Sequence, residues 1–175
     1  AVKRFLDIFL CTVLVVVFLP FFGMIALAIK LDSKGTVLYS HQRVGKGGKT
    51  IRIHKFRTMY ADADERIQDL LESDSHLKRE WEAHQKLRED PRITRIGKWL
   101  RRWSLDELPQ VFNVLKGEMS LIGPRPIMAS EIERYQENIK SYYLVRPGLT
   151  GLWQVSGRSS VTYEVRVALD TYYVR

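Results

Sequence analysis

Two adjacent carboxylates, Asp106 and Glu107, are the residues of this sequence best suited to chemistry. They open an apolar-periodic run that closes at Lys116-Gly117, so the sequence predicts a short helix whose first turn holds both. Ser104 and Glu107 have the spacing of a capping box, and Asp106 is itself an alternative N-cap. On this motif alone the favoured interpretation is structural, with two acidic groups complementing the helix dipole.

Arginines on both sides of the carboxylate pair shift this interpretation toward phosphoryl transfer. Five basic residues precede the pair on a predicted helix, namely Arg92, Arg95, Lys98, Arg101 and Arg102. Arg125 follows between two prolines that restrict its backbone, and Arg146 and Arg158 each adjoin a turn residue. Arginine presents a rigid fork to phosphate oxygens, while a carboxylate can bind Mg²⁺ or attack phosphorus. Together these groups suit a reaction at a pyrophosphate.

The elements that position these residues begin with a 22-residue uncharged run from Ile8 to Ile29. As a helix of about 33 Å, this run is long enough for a hydrocarbon core of about 30 Å. Pro20 divides it near the centre, however, and basic residues flank both ends, which favours two cytoplasmic ends. The sequence predicts a re-entrant helix-break-helix over residues 1–30, with a plain span as the alternative. A secretory signal is disfavoured because no small-residue cleavage site follows Ile29.

The composition accommodates about one further domain, predicted over residues 31–175 of the 175-residue chain. The single cysteine, Cys11, excludes an internal disulfide framework and a four-cysteine zinc module. A formal charge of +8 is compatible with nucleic acid, an anionic membrane surface or an acidic substrate. Nucleic acid is not expected as a partner, because the sequence has no groove-reading motif and no interleaved stacking aromatics.

A short β-hairpin is predicted in the basic stretch that follows the apolar run. Residues 36–40 and 50–56 are rich in β-branched and aromatic side chains, as strands are. The glycine-rich link 45–49 ends like a phosphate-binding loop, but that motif needs a glycine where Arg43 stands. We therefore expect a basic turn between the two strands.

An acidic segment, residues 62–90, separates this hairpin from the arginine-rich helix. Its apolar residues recur at roughly helical spacing, which predicts an amphipathic helix with a solvated acidic face. His76 and His84 lie in this segment without a close ligand partner, so solvent-exposed or capping roles are expected rather than metal binding.

Nine motifs along the chain carry a resemblance to a known family. They are Lys3-Arg4-x-x-Asp7, Gln42-Arg43-Val44-Gly45, Lys55-Phe56-Arg57-Thr58-Met59, Asp90-Pro91-Arg92-Ile93-Thr94, Ser104-Leu105-Asp106-Glu107-Leu108, Phe112-Asn113-Val114-Leu115-Lys116-Gly117, Met119-Ser120-Leu121-Ile122-Gly123-Pro124-Arg125-Pro126, Arg146-Pro147-Gly148-Leu149-Thr150-Gly151 and Leu169-Asp170-x-Tyr172-Tyr173. At these motifs the chain resembles the monotopic phosphoglycosyl transferases, or bacterial sugar transferases. The stretch 72–89 is similar to the longer members, which transfer galactose or glucose 1-phosphate to undecaprenyl phosphate.

The resemblance implies a two-step reaction. Asp106 would attack the β-phosphate of a UDP-sugar, releasing UMP and leaving a phosphosugar on the enzyme. Undecaprenyl phosphate would then take that group to give a lipid diphosphosugar, the first membrane step of polysaccharide assembly. Glu107 would assist in an acid-base or metal role, with Mg²⁺ held by Asp106 and Glu107. Galactose is the first expectation for the sugar and glucose the second.

The resemblance also implies roles for residues outside the carboxylate pair. Arg101 and Arg125 would hold phosphates, and Arg158 would contact the nucleotide. Lys55 and Thr58 are weaker substrate-binding candidates, because a lysine at the end of a strand is more often merely solvated.

These predictions together give an α+β, mostly helical protein. An N-terminal re-entrant membrane segment precedes a small cytosolic catalytic domain with a short β-hairpin. The expected location is the bacterial inner (cytoplasmic) membrane, with the catalytic domain on its cytoplasmic face, and the longer relatives suggest a homodimer.

The sequence departs from the family pattern in two places. Leu19 replaces the serine that usually precedes the breaking proline. Relatives continue beyond Arg175, so a fragment is expected.

Two other functions compete with catalysis. A membrane-tethered basic module that binds anionic lipid or nucleic acid needs only charge, so its binding would weaken steeply with salt and ignore Asp106. A scaffold subunit with the fold and no activity is disfavoured because Asp106 and Glu107 are both intact.

Overall fold

The computed structural model describes residues 2–73, 75–84, 87, 90–157 and 161–174. Within them the elements follow in the order α1 (Val2–Asp32), β1 (Leu38–Val44), β2 (Thr50–Phe56), α2 (Ala63–Ser73), α3 (Ser75–His84), α4 (Arg95–Arg102), α5 (Gln110–Lys116), β3 (Ser120–Ile122), α6 (Ile132–Tyr135), α7 (Ile139–Leu144), β4 (Gly148–Thr150), α8 (Leu152–Val155) and α9 (Tyr163–Val174). The chain packs as two compact units. Unit 1 comprises the described residues of 1–19, 40–55 and 107–175, and unit 2 comprises those of 20–39 and 56–106. The predicted mostly helical α+β class is confirmed.

Helix α1 is long, apolar and largely exposed. Only 11% of its most apolar stretch is buried, so it is not the core helix of a soluble protein, and it is long and apolar enough to cross a membrane. The helix runs through Pro20 without interruption. A proline inside a helix removes one backbone hydrogen bond and can bend the helix without ending it. The predicted break is therefore not an interruption of the helix, and the re-entrant topology stays a prediction.

The predicted β-hairpin is present, with a longer first strand. β2 has the predicted bounds Thr50–Phe56, whereas β1 begins at Leu38 and extends to Val44. The two strands pair, and the backbone N–H of Val44 donates to the carbonyl of Ile127 at 2.8 Å. That partner, distant in sequence, explains why the strand continues past the predicted end. The link contains a 3-10 turn, Lys46–Gly48, in which Gly47 adopts a φ of 68° that favours glycine.

A second, parallel strand pair in unit 1 was not predicted. β3 pairs with β4 in a register that sets Ser120 opposite Gly148 and Ile122 opposite Thr150. A Cβ atom on Gly148 would lie 2.6 Å from the carbonyl oxygen of Gly123, the residue after β3, so the close approach of these two segments requires glycine. Strands of three residues are too short to show an alternating pattern, which is why the sequence does not reveal them.

The core of unit 1 combines apolar and tyrosine side chains: Val44, Ile127, Tyr135, Tyr142 and Val167. The Tyr142 hydroxyl donates to the carbonyl of Val44 at 2.7 Å and accepts from the N–H of Ile127 at 3.3 Å. The Tyr135 hydroxyl donates to Asp170 on α9 at 2.8 Å. These bonds satisfy tyrosine hydroxyls that would otherwise be costly to bury.

Asp170 should make the stability of the fold depend on pH. Burial raises the pKa of its carboxyl to about 6, although the Tyr135 hydrogen bond and nearby Arg125 favour the charged form. An unfolded aspartate titrates near pH 3.9, so stability falls as the pH rises from about 4 to about 6. Asp170→Asn should remove this fall and raise the free energy of unfolding near neutral pH by roughly 1–3 kcal/mol. Thermal midpoints in detergent at several pH values test this, and an unchanged pH profile in the variant would contradict it.

Unit 2 contains the second half of α1, the acidic helices and α4. The predicted single amphipathic helix over 62–90 is two helices, α2 and α3, with Ile67 buried. His76 is exposed, as predicted, whereas the side chain of His84 lies outside the described residues. Thr94 caps α4, its hydroxyl accepting from the N–H of Gly97 at 2.9 Å. This cap fixes the start of the helix that carries Arg101.

Candidate functional site

Asp106 and Glu107 lie in a 3-10 turn, Leu105–Glu107, that precedes α5. The prediction that they occupy the first turn of a helix is wrong, because α5 begins at Gln110 with Pro109 as its N-cap and without a side-chain cap. The reason lies upstream, where Ser104 adopts a left-handed φ of 56° and turns the chain after α4. The capping roles predicted for Ser104 and Asp106 are likewise wrong. A helix dipole acts within its first turn, so it does not explain this pair.

Glu107 is held by an ion pair within unit 1. The ammonium of Lys55 lies 2.6 Å from Oε1 of Glu107, and about a third of each side chain is exposed. Lys55 stands near the end of β2, so the hairpin supplies the cation and the turn before α5 supplies the carboxylate. The structure thus brings together two predicted site residues that are 52 positions apart.

Asn113 joins β2 to α5 and is not among the predicted site residues. It is fully buried, accepts from the N–H of His54 at 3.1 Å and donates to the carbonyl of Arg52 at 2.8 Å. It also donates to Oε2 of Glu118 at 2.6 Å. Because His54 adjoins Lys55, these bonds fix the strand that presents the lysine. A polar residue between two buried valines of a short helix was the signal that could have revealed it.

The ion pair predicts that Lys55 matters for activity more than for stability. Lys55→Met keeps the length of the side chain and removes its charge, so Glu107 loses its partner. We expect activity to fall roughly 10–100-fold, as when a positioned electrostatic group is removed. The free energy of unfolding should change by less than about 1 kcal/mol, because partly exposed ion pairs contribute little. Lys55→Arg is the charge-retaining control, and equal loss in both variants would contradict an electrostatic role.

Arg101 is positioned within unit 2 by Thr58. Its Nε donates to the Thr58 hydroxyl at 2.8 Å, and Thr58 is 7% exposed. The backbone of Thr58 is itself fixed, since its carbonyl accepts from the N–H of Thr94 at 3.0 Å. The bond to Thr58 uses Nε rather than the two terminal nitrogens of the guanidinium. Thr58 thus orients an arginine that retains its phosphate-binding fork.

Arg92 has a structural role and does not lie on the arginine-bearing helix. α4 begins at Arg95, and Arg92 precedes it with its Nε and Nη2 donating to Asp90 at 2.8 and 2.7 Å. Its guanidinium also lies 4.9 Å from the ring centre of Trp81. Burial raises the pKa of the Asp90 carboxyl, but the hydrogen bonds from Arg92 outweigh that effect and leave the pKa below its usual value. The predicted helix was therefore too long at its start.

Arg125 is exposed between the buried residues Pro124 and Pro126. Its guanidinium lies 5.8 Å from the ring centre of Trp153, and that of Arg166 lies 4.6 Å from the same ring. Two cations beside one aromatic ring repel each other and would gain from an anion between them. Arg158, predicted to contact a nucleotide, lies outside the described residues.

A magnesium ion at the carboxylate pair would need oxygen ligands from substrate and water to complete its coordination. Among the described residues no cluster of three or more His, Cys, Asp or Glu side chains could hold a metal by itself. Magnesium commonly binds through one or two carboxylates together with substrate phosphates and water. Asp106 and Glu107 supply the hard oxygen donors that this arrangement needs.

Comparison with known proteins agrees with the resemblance seen in the motifs. The model of the family described as bacterial sugar transferase matches residues 1–175. The chain is 46% identical to the undecaprenyl-phosphate galactose phosphotransferase of Salmonella typhimurium, over 99% of this chain and 36% of that protein. It is 40% identical to the UDP-glucose:undecaprenyl-phosphate glucose-1-phosphate transferase of Escherichia coli, over 99% of this chain and 36% of that protein. For the exopolysaccharide production protein ExoY of Sinorhizobium fredii, the identity is 42% over 99% of this chain and 76% of that protein.

The chain therefore spans little more than a third of several relatives that it matches. Relatives named for transfer to a polyprenyl phosphate, together with the exposed apolar α1, indicate a membrane-bound protein. Because the family match extends along the whole sequence and includes the Asp106-Glu107 turn, the chain belongs to the bacterial sugar transferase family.

Proposed function

We propose that the protein transfers a sugar 1-phosphate from a UDP-sugar to undecaprenyl phosphate, giving UMP and a lipid diphosphosugar. The names of its relatives support this class of reaction. The observation that carries the proposal is the Lys55–Glu107 ion pair, in the turn that also contains Asp106. It places a cation beside one carboxylate of the turn that also supplies Asp106, the proposed nucleophile.

In the first step an oxygen of Asp106 attacks the β-phosphorus of the UDP-sugar. The bond between this phosphorus and the oxygen that bridges to the α-phosphate breaks, and UMP leaves with that oxygen. The phosphosugar is then an acyl phosphate on Asp106. Arginine forks suit the phosphate charge of this step, and Arg101, held by Thr58, is the candidate in unit 2. Arg125, beside Trp153, is the candidate in unit 1.

In the second step an oxygen of undecaprenyl phosphate attacks the same phosphorus. The bond to Asp106 breaks, and the free carboxylate is regenerated. Asp106 and Glu107 are the residues that would hold Mg²⁺, which when bound would neutralise phosphate charge. Lys55 orients Glu107 through its 2.6 Å contact.

We further propose that α1 is re-entrant, with both ends on the cytoplasmic face of the bacterial inner membrane. Near its start, Arg4 donates to the carbonyls of Val114 and Leu115 at 2.6 and 3.0 Å. At its end, Asp32 accepts from the N–H of Ile96 at 3.0 Å. Among the described residues, α1 is the one helix that is long and apolar enough to cross. Each end of α1 thus contacts a segment of its own unit, and the basic residues that flank both ends favour the cytoplasmic side.

Cysteine labelling tests this topology. Val2→Cys and Ser33→Cys, each in a Cys11→Ala background, should react only with a reagent that has reached the cytoplasmic side. A straight helix of 31 residues, about 46 Å long, would instead place its ends on opposite faces. Labelling of one site from the outside in intact cells would establish a span and contradict re-entry.

The activity itself is tested by incubating the protein with undecaprenyl phosphate and a panel of UDP-sugars. UMP release is the readout, with UDP-galactose and UDP-glucose as the first candidates because relatives are named for those sugars. Failure of every UDP-sugar to yield UMP would contradict the proposed reaction. Binding that depends on salt and ignores Asp106 would instead support the non-catalytic basic module.

A further inference from the structure

A cavity of about 230 Å³ lies in unit 1 beside the start of α1. Its described lining includes four cationic side chains and one carboxylate, namely Lys3, Arg4, Lys46, Arg146 and Asp7. The cations come from three separate parts of the chain: the first turn of α1, the tip of the β-hairpin and the residue before Pro147-Gly148. Lys3, Arg4 and Lys46 are not among the residues proposed for sugar-nucleotide chemistry, and Arg146 has no part in the two proposed steps.

The single carboxylate lining this cavity, Asp7, already has hydrogen-bond donors and a cation as partners. Asp7 is 6% exposed, and its Oδ2 accepts from the Ser120 hydroxyl at 2.7 Å while Oδ1 accepts from the N–H of Leu121 at 3.2 Å. The ammonium of Lys3 lies 3.5 Å from the same carboxylate and also contacts the Ser120 hydroxyl. One cation is therefore balanced by Asp7, and three remain.

The two arginines are oriented by neutral backbone groups. Arg4 donates to carbonyls at the end of α5, and Nε of Arg146 donates to the carbonyl of Gly117 at 2.6 Å. Carbonyls fix a guanidinium without cancelling its full charge. Lys46, at the exposed hairpin turn, adds a third positive charge. The cavity thus has the electrostatics of a site for an anion with two or more negative oxygens.

Apolar side chains at the same cavity distinguish a lipid from a soluble anion. Ile122 and Leu144 line it and are 52% and 64% exposed. Val2 and Phe5, from the adjoining first turns of α1, are 74% and 68% exposed. A soluble phosphate ion gains nothing from apolar side chains beside its site, whereas the acyl chains of a lipid would bury them. Basic pockets beside membrane helices are typical binding sites for lipid phosphate groups.

We propose that this cavity binds the phosphate group of an anionic phospholipid, with the acyl chains lying against Ile122, Leu144 and the start of α1. Such a lipid would link the membrane to α1, the hairpin tip and the segment before β4. It is a site separate from the Asp106-Glu107 turn, and it does not depend on the proposed reaction.

Native mass spectrometry of the detergent-solubilised protein tests the site, with phosphatidylglycerol and phosphatidylcholine titrated separately. Wild type should retain phosphatidylglycerol more tightly than phosphatidylcholine. Lys46→Gln should weaken phosphatidylglycerol binding about fivefold, and Lys46→Gln with Arg146→Gln roughly twentyfold. Lys140→Gln removes the same charge from an exposed lysine outside the cavity and should leave binding within about twofold of wild type.

Three outcomes would overturn the proposal. Equal losses in Lys46→Gln and Lys140→Gln would show general charge attraction rather than a site. Displacement of phosphatidylglycerol by inorganic phosphate at similar concentration would assign the cavity to a free anion. Tighter binding of undecaprenyl phosphate than of phosphatidylglycerol would assign it to the lipid substrate instead. Because Lys46 is exposed, its variant should keep the thermal midpoint of the wild type, which separates lost binding from misfolding.

Discussion

Asp106→Asn should abolish the proposed sugar-phosphate transfer, lowering the rate by roughly four or more orders of magnitude, as loss of a nucleophile does in covalent catalysis. The amide has nearly the shape of the carboxylate, but it has no anionic oxygen to attack phosphorus and is a poorer ligand for Mg²⁺. The 3-10 turn should survive the change, because neither Ser104 nor Asp106 caps α5. UMP release from the best UDP-sugar is the measurement.

Two further variants separate loss of the nucleophile from other effects. Asp62→Asn makes the same chemical change at an exposed carboxylate that pairs with Arg66 at 2.9 Å, and it should keep wild-type activity. Glu107→Gln retains the nucleophile and loses the Lys55 ion pair, so it should retain residual activity above that of Asp106→Asn. Wild-type turnover by Asp106→Asn would remove Asp106 from the mechanism.

Gly97→Ala should cause the largest loss of stability. A Cβ atom at Gly97 would lie 2.7 Å from the backbone carbonyl carbon of Thr58 and still closer to its oxygen. Backbone cannot move aside as the end of a side chain can, so α4 and the Thr58 segment must separate. We expect the free energy of unfolding to fall by about 3 kcal/mol, the upper part of the range for overpacking. Activity should fall as well, since the bond between Thr58 and Arg101 spans this contact.

Gly23→Ala is the matched control for this prediction. A Cβ atom at Gly23, also in a helix, meets nothing within 4 Å. Alanine is the better helix former, so this variant should be neutral or more stable by about 0.5–1 kcal/mol. Thermal midpoints of both variants in the same detergent decide the matter, and equal midpoints would show that α4 tolerates a side chain at position 97.

Local chemistry accounts for the parts of the fold that could be predicted from the sequence. The β-branched pattern of Thr50–Phe56 gave the bounds of β2 because successive side chains alternate between two environments. Gly117 ends α5 with a left-handed φ of 87°, as its position after the periodic run indicates. The long apolar α1 follows from composition alone.

Contacts between distant parts of the chain account for what could not be predicted. From the sequence Lys55 is a weak candidate, because a strand-end lysine is usually solvated, and only the fold shows its 2.6 Å contact with Glu107. The first turn of α5 was misplaced because Ser104 adopts a left-handed conformation that serine seldom takes. Arg92 looked like part of an arginine-bearing helix, yet Asp90, two positions earlier, holds it outside.

The most direct test of the central claim is to trap the phosphosugar on the protein. Wild type is incubated with Mg²⁺ and the UDP-sugar that supports UMP release, without undecaprenyl phosphate, and is then digested for peptide mass analysis. We predict that the mass of the peptide containing Asp106 increases by one phosphosugar. This adduct should disappear when undecaprenyl phosphate is added, and it should not form in Asp106→Asn. Formation of the lipid diphosphosugar without any such adduct, or an adduct on a different residue, would contradict it.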